Sequence, residues 1–361
     1  MDLALDRPSS RGLPPTAGGE IMKARLTNLM HCMAPLLAAL FWGGAYIWIK
    51  MGLEGFSPLT LVTLRFTLTA LGFLALFAVR AISFRRIRLA DAPRFALLVA
   101  SGVLVYHLSL VAAETVLPAS AASLIGQMVA VFTIGLSAVK RPSVLKARTV
   151  VGVALALAGA LLVIWGGRSP SGGALSAWAV AVCFAAPLSM ACYMLLGKPM
   201  VERYGAANLT AQVCIAGGAI LTAVTAFRPG VMQELSSASV TAWVAAGCLA
   251  LFCTVAAYTL WFHALSTRSA SQLSIYSYLV PVFSVAAAAV VLGEPITLPL
   301  ALGGAVVIAG VYVTNRKPRT AGPVQTAPAS GRLPRNRPAN APCRSRPPHR
   351  RTTAGGTLQH R

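Results

Sequence analysis

Residues 269–298 read SASQLSIYSYLVPVFSVAAAAVVLGEPITL, and the fold is decided there. The run is apolar for the length of a membrane helix, yet Ser271, Ser274 and Tyr278 stand at i, i+3 and i+7, on one helical face. Pro281 follows, where it removes a backbone hydrogen bond and favours a bend. Moved back by 151 residues, the stretch falls on an earlier one: Ser271 on Ser120, Ser274 on Ser123, Tyr278 on Gln127, and Val282 and Phe283 on Val131 and Phe132. The ungapped match joins 114–163 to 265–314 and sets Gly152 on Gly303 and Gly159 on Gly310. A looser match at an offset of 148 aligns Lys50 with Lys198 and Glu54 with Glu202.

Working outward, 56% of the 361 residues are hydrophobic and 11% charged, with a mean hydropathy of +0.69. That is too apolar for a soluble domain, which must cover its surface with polar groups. Ten runs are long enough to cross a bilayer core as helices: 35–51, 60–79, 93–113, 119–139, 149–165, 174–196, 210–227, 240–264, 270–292 and 298–313. They lack the period-two alternation of barrel strands. The expected fold is an all-α integral membrane protein of ten transmembrane helices. Five helices per repeat is an odd number, so the second copy enters the membrane inverted relative to the first. The organisation read is a disordered segment 1–33, a first five-helix repeat 34–166, a second 174–314 and a disordered tail 315–361.

Basic residues alternate between loops. Four precede the first span, and Arg80, Arg85, Arg86, Arg88, Lys140, Arg141, Lys146, Arg148, Lys198, Arg203 and Arg268 share one side. Only Arg168 and Arg228 fall on the other. By the positive-inside rule both termini are cytoplasmic, in a multi-pass protein of the plasma (inner) membrane. The basic start at Met22 resembles a signal peptide, but the apolar run continues through Lys50 without a small-residue cleavage site, so it reads as an uncleaved first helix.

The net charge of +22 does not imply nucleic acid. Eleven Lys and Arg lie after residue 315, in an acid-free segment rich in Pro, Arg and Ala that is expected to stay disordered. It is read as a solvated tail or one attracted to anionic lipid. The seven cysteines show no zinc spacing and read as small buried hydrophobes. With no P-loop or dinucleotide fingerprint, no cofactor is expected, and any driving energy comes from gradients.

The segments ALFWGGAYIWIKMGLEGFSPLTLVTLRFTLTAL (39–71), ASLIGQMVAVFTIGLSAV (122–139) and the long run 260–313 together resemble the EamA-type branch of the drug/metabolite transporter superfamily. The resemblance covers about residues 34–314. It implies ten helices, both termini inside, and export or exchange of small metabolites such as amino acids. In one respect the chain departs from the family pattern: in register, Pro142 and Ser143 stand where the second half has Gly293 and Glu294.

Inverted repeats in transporters place the substrate near the midplane between the halves. The stripe Ser120, Ser123 and Gln127 and its counterpart Ser271, Ser274 and Tyr278 are therefore expected to line a central cavity, although small hydroxyl residues also serve close helix packing. Pro281 is read as a gating bend. On the first span Trp42, Tyr46 and Lys50 follow at one-turn spacing, either an aromatic wall with a cation above it or an interfacial lysine. His107 and Glu114 share a face of the third span, Tyr258 is the counterpart of His107, and His263 lies further along the eighth. Arg65 lies inside the second span, where a charge needs a partner or water, or reaches the interface as an anchor. Lys50, Arg65, Glu114 and His263 are the candidates for charge or coupling roles, since no acid occupies the middle of a span.

The favoured function is a secondary transporter of neutral or zwitterionic metabolites, working by alternating access, with the bilayer and a small-molecule substrate as partners. A non-transporting scaffold or sensor with a basic tail is the rival; an enzyme is not expected, for want of a nucleophile–base pair or a metal motif. Small residues at 152, 156 and 160, and at 301, 305 and 309, offer smooth faces for packing within the monomer or in a homodimer.

Overall fold

The computed structural model describes residues 17–140, 142, 146–166, 175–267, 273 and 276–315. They form helices joined by short links, with no strand among them. Eight of these helices are long and apolar enough to cross a membrane, and two shorter apolar helices follow. We number them α1 (Ala17–Leu53), α2 (Pro58–Ala78), α3 (Leu89–Glu114), α4 (Ala119–Val139), α5 (Ala147–Gly166), α6 (Ala177–Tyr204), α7 (Ala206–Ala226), α8 (Val240–Ser266), α9 (Leu279–Val291) and α10 (Leu298–Asn315).

The starts and stops follow local chemistry. Ser57 caps α2, its side chain accepting from the Thr60 N–H, and Pro58 occupies the first helical turn, where its missing N–H costs nothing. Ser239 caps α8 in the same way by accepting from Ala242. Gly205, at φ +80°, turns the chain directly from α6 into α7 in a conformation that L side chains rarely adopt.

The packing is that of two interleaved halves. α5 lies against α10, α2 against α7 and α4 against α9, each pairing an element with its own counterpart. α1 packs on α8 and α9, and its counterpart α6 packs on α3 and α4. α3 and α8 each carry one π-helical segment, Ala100–Val105 and Leu251–Ala256, separated by the 151-residue offset of the repeat. A π turn frees backbone carbonyls from the α ladder. Here neighbouring hydroxyls take them up: Ser189 donates to the Ser101 carbonyl at 2.8 Å, Thr254 to Leu249 at 2.8 Å and Thr69 to Ala250 at 3.5 Å.

α1 runs through the largest apolar core, where Ala39, Ile47 and Ile49 meet Leu61, Phe66, Val111 and Ala246. Apolar side chains such as Leu71, Leu74, Trp165, Trp178, Phe227, Val240 and Val290 are exposed, the surface expected of a chain solvated by lipid. Small residues do bring α5 and α10 together, but through Gly152, Ala156 and Gly159 on one side and Gly303, Val307 and Gly310 on the other. Ala301, Ala305 and Ala309 are exposed.

α1 begins at Ala17, within the segment 1–33. Residues 20–26 (EIMKARL) are mostly good helix formers, and no glycine or proline intervenes before Pro35. The tail after residue 315, Ser271 and Ser274 lie outside the described residues.

Candidate functional site

The polar groups of the described body gather where helices end or break. α4 is interrupted at Gln127 and Met128, which form a turn, and Tyr278, the counterpart of Gln127, is likewise a turn residue at the start of α9. The Tyr46 hydroxyl lies against this break: a Cβ added to Gly126 would sit 2.8 Å from it. α1 approaches α9 as closely, since a Cβ on Gly43 would meet the Val280 carbonyl oxygen at 2.8 Å.

Ser120 and Ser123 are buried and their hydroxyls are engaged locally. Ser120 donates through N at 3.1 Å and through Oγ at 2.6 Å to one oxygen of Glu294, whose other oxygen accepts from the Ala119 N–H at 2.8 Å. Glu294 thus caps α4 from the α9–α10 link, satisfying donors that the first turn leaves orphaned and placing a negative charge at its positive end. Gly293 makes this reach possible at φ +66°. Pro142, its counterpart in register, is confined to φ near −65° and cannot take that conformation. Ser123 donates to the Ser120 carbonyl at 2.8 Å.

At the same end of the molecule Lys50 donates from Nζ to the Glu114 main-chain carbonyl at 2.5 Å. A cation therefore meets the negative end of α3. The Glu114 side chain is fully buried, and among the described residues neither of its carboxyl oxygens has a hydrogen-bond partner. Lys50, Glu294 and Arg65 are the charges that act on it.

Arg65 is only 5% exposed. Its Nε donates to Thr254 at 3.1 Å, beside the π segment of α8, and its guanidinium lies 5.7 Å from the centre of the Phe66 ring. Among the described residues no carboxylate comes within ion-pairing distance of it. Its charge reaches Tyr46, Tyr106, His107 and Tyr258. His107 is buried, its Nδ1 without a partner among the described residues and its ring edge-on between Phe66 at 4.7 Å and Tyr106 at 4.6 Å. Trp42 meets Tyr258 at 5.8 Å and Trp261 at 5.1 Å, and Tyr258 stacks on Phe262 at 6.0 Å. The result is an aromatic wall contributed by α1, α2, α3 and α8 around one buried guanidinium.

Two polar latches close the ends. Glu234, in the short helix Val231–Ser237, accepts from the Ser57 N–H, from Thr60 Oγ1 at 3.0 Å and from Arg228, which also donates to Ser57. Burial pushes the Glu234 carboxyl up, but the hydrogen bonds from Ser57 and Thr60 and the Arg228 charge outweigh this and hold it below its ordinary value. At the opposite end Asn208 accepts from the Arg85 N–H at 3.0 Å and donates to its carbonyl at 3.1 Å, while Asp91 accepts from Arg203 at 2.5 Å and Tyr204 at 2.6 Å. Each latch carries the link between the second and third helices of one half onto the start of the second helix of the other.

Of the residues singled out in the sequence, the structure joins Trp42 with Tyr258, Tyr46 with the break beside Gln127, and Lys50 with Glu114. Tyr278 donates its hydroxyl to the Val311 carbonyl at 3.4 Å, its ring meets Tyr312 at 6.2 Å, and it packs against the apolar cluster that holds Met128. Pro281 is buried in the first turns of α9, and His263 is exposed. Thr254, Trp261 and the capping role of Glu294 escape a reading of the sequence. The signal was available only for Glu294, an acid just before a helix start in the second half with no counterpart in the first.

Compared with known proteins, the chain is matched twice by the model of the EamA-like transporter family, over residues 29–165 and 177–316. It is 31% identical over 301 residues, 83% of this chain and 97% of the relative, to a probable terminal-alkyne amino-acid exporter of Streptantibioticus cattleyicolor. It is 28% identical over 281 residues, 78% of this chain and 97% of the relative, to an uncharacterized transporter of Archaeoglobus fulgidus. A probable amino-acid metabolite efflux pump of Salmonella typhimurium is 28% identical over 77% of this chain and 92% of its own length. One crystal structure, 20% identical, superposes over 78% of this chain and 95% of that one with a TM-score of 0.56, which shows a shared fold.

Proposed function

Since the chain belongs to the EamA-like transporter family, we propose that it exports or exchanges amino acids or related neutral and zwitterionic metabolites across the plasma membrane by alternating access. Ten crossings in two inverted five-helix halves, with both termini in the cytoplasm, are the topology that goes with this reading. In this reading the two shorter apolar helices, α9 and α10, are the ninth and tenth crossings.

The observation that carries the reading is Arg65. A guanidinium in a membrane helix is costly unless it is paired or hydrated, and such residues are by default functional. Here the described residues give it one hydroxyl and no acid, within an aromatic wall. A substrate carboxylate completes that arrangement with a bidentate, charge-assisted pair, and the flat faces of Trp42, Tyr46 and Tyr258 take its apolar part. Arg65 is thus the carboxylate anchor, His107 with its free ring nitrogen a second polar contact, and Gln127 and Tyr278 the residues at the breaks that move as the halves rock. Ser120 and Ser123 support this region. Two relatives whose names give amino-acid compounds as cargo favour the same class.

The test is flux. Purified protein in liposomes, loaded with radiolabelled neutral amino acids, should release them faster than empty vesicles treated alike. Replacing both Gln127 and Tyr278 with leucine should abolish release while the protein stays folded by gel filtration and thermal melting. No release of any amino acid by the wild type would overturn the reading.

A further inference from the structure

The Lys50–Glu114 contact is not used by a carboxylate anchor at Arg65, and its geometry is unusual. The side chain of Glu114 is wholly buried with both oxygens unbonded, while the nearest ammonium is tied to the main-chain carbonyl of the same residue at 2.5 Å. A carboxylate left ionised and unbonded away from water is costly, and a bound proton removes that cost. Turning the Lys50 side chain from the carbonyl to the carboxylate removes it too, by forming an ion pair. The two arrangements exclude each other at a point where α1, α3 and the capped start of α4 converge, the end of the molecule that must loosen for the halves to part.

We infer that Glu114 is a proton-binding site that couples transport to a proton gradient, its carboxyl carrying a proton in the packed arrangement and pairing with Lys50 when this end opens. This rests on the transport reading above. The step balances: the carboxylic O–H gives its proton to water on the open side, and the Lys50 ammonium leaves the Glu114 carbonyl and meets the new carboxylate. When this end recloses, the carboxylate takes up a proton from the opposite, now open side, and the Lys50 ammonium returns to the Glu114 carbonyl, so that one proton crosses per cycle. The groups that face Glu114 are Lys50 and Tyr46 of α1, Arg65 of α2, Tyr106 of α3, Cys183 of α6 and Glu294 of the α9–α10 link. Two of them, Lys50 and Arg65, are cations that stabilise the ionised form once the proton leaves. Glu294 is anionic but engaged with the start of α4.

Two measurements test this. In liposomes with radiolabelled neutral amino acids, an imposed pH difference of about one unit should raise steady-state accumulation by up to about tenfold for one proton per substrate. Glu114→Gln, which keeps the shape, should lose that response, whereas Glu54→Gln, at an exposed acid of the same end, should keep it. Independently of any flux, infrared spectroscopy of the purified protein at neutral pH should show the C=O stretch of a protonated carboxylic acid, absent in Glu114→Gln. Flux that ignores the pH difference, or that responds alike in the wild type and Glu114→Gln, overturns the coupling. If no amino acid moves at all, the transport reading falls and the infrared band alone decides: the same band in both proteins overturns the site, and its loss in the variant upholds it.

Discussion

Gly152 and Gly310 face each other across α5 and α10 so closely that a Cβ on Gly152 would lie 2.8 Å from the Gly310 carbonyl oxygen, and one on Gly310 2.7 Å from that of Gly152. Their counterparts reproduce the contact: a Cβ on Gly303 would lie 2.8 Å from the Gly159 carbonyl oxygen, and one on Gly159 2.7 Å from that of Gly303. The two helices therefore touch backbone to backbone about the local twofold axis, and the backbone on neither side can yield as the end of a flexible side chain would. Gly159→Ala should lower stability by about 1–3 kcal/mol, the usual cost of overpacking. Gly135, where an added Cβ meets nothing within 4 Å, should accept alanine with no loss. Thermal melting of the purified variants in detergent compares the two.

The α4 cap predicts a graded loss. Glu294→Ala removes the acceptor for two backbone N–H groups and one hydroxyl at the helix start. It should cost about 1–2 kcal/mol. Glu294→Gln keeps one carbonyl acceptor and should fall between alanine and the wild type. Melting midpoints in that order check it.

For Arg65 the expectation concerns binding. Loss of a charge-assisted hydrogen bond is worth about 1.5–3 kcal/mol, so Arg65→Gln should reduce the specificity of amino-acid release by roughly 10- to 100-fold. Arg65→Lys keeps the charge without the planar fork and should retain part of it. Concentration-dependent efflux from liposomes measures both, and full activity in Arg65→Gln would remove the anchor.

The Arg228–Glu234–Ser57 latch predicts a response to acid. Glu234 is held below its ordinary carboxylate value in the folded protein, so the unfolded chain binds its proton first as pH falls. The contribution of the latch is complete above the ordinary value, near pH 4.5, and is lost as pH drops through the depressed one. Melting midpoints of the wild type should fall towards those of Glu234→Gln over that range and converge below it.

Much of the architecture was legible because lipid imposes simple rules on a chain. The fourth and sixth helices could be placed from apolar length alone, and the register of 151 tied Gly152 to Gly303 and Gly159 to Gly310 as counterparts, though not which of them touch. The π segments left no such mark. Neither ASGVLV nor LFCTVA carries a proline, and two of the hydroxyls that take up carbonyls there come from elsewhere in the fold, Ser189 for Ser101 and Thr69 for Ala250. The serine stripe was visible as a face, but the partner of Ser120 is 174 residues away, so its engagement with Glu294 could not be read from spacing. For Arg65 the sequence left a partnered or hydrated charge within the span and an anchor at the interface equally open, and Thr254 as its neighbour depends on how α2 crosses α8.

The paired π segments bear on how such a molecule could turn. His107 and Tyr258 each follow a π segment by two residues. Converting one of these wide turns to ordinary α geometry would rotate everything beyond it by about 100°, one residue's step, while the helix before it stayed still. In each half such a conversion would turn one aromatic ring, His107 or Tyr258, relative to its neighbours while the earlier part of the same helix kept its packing.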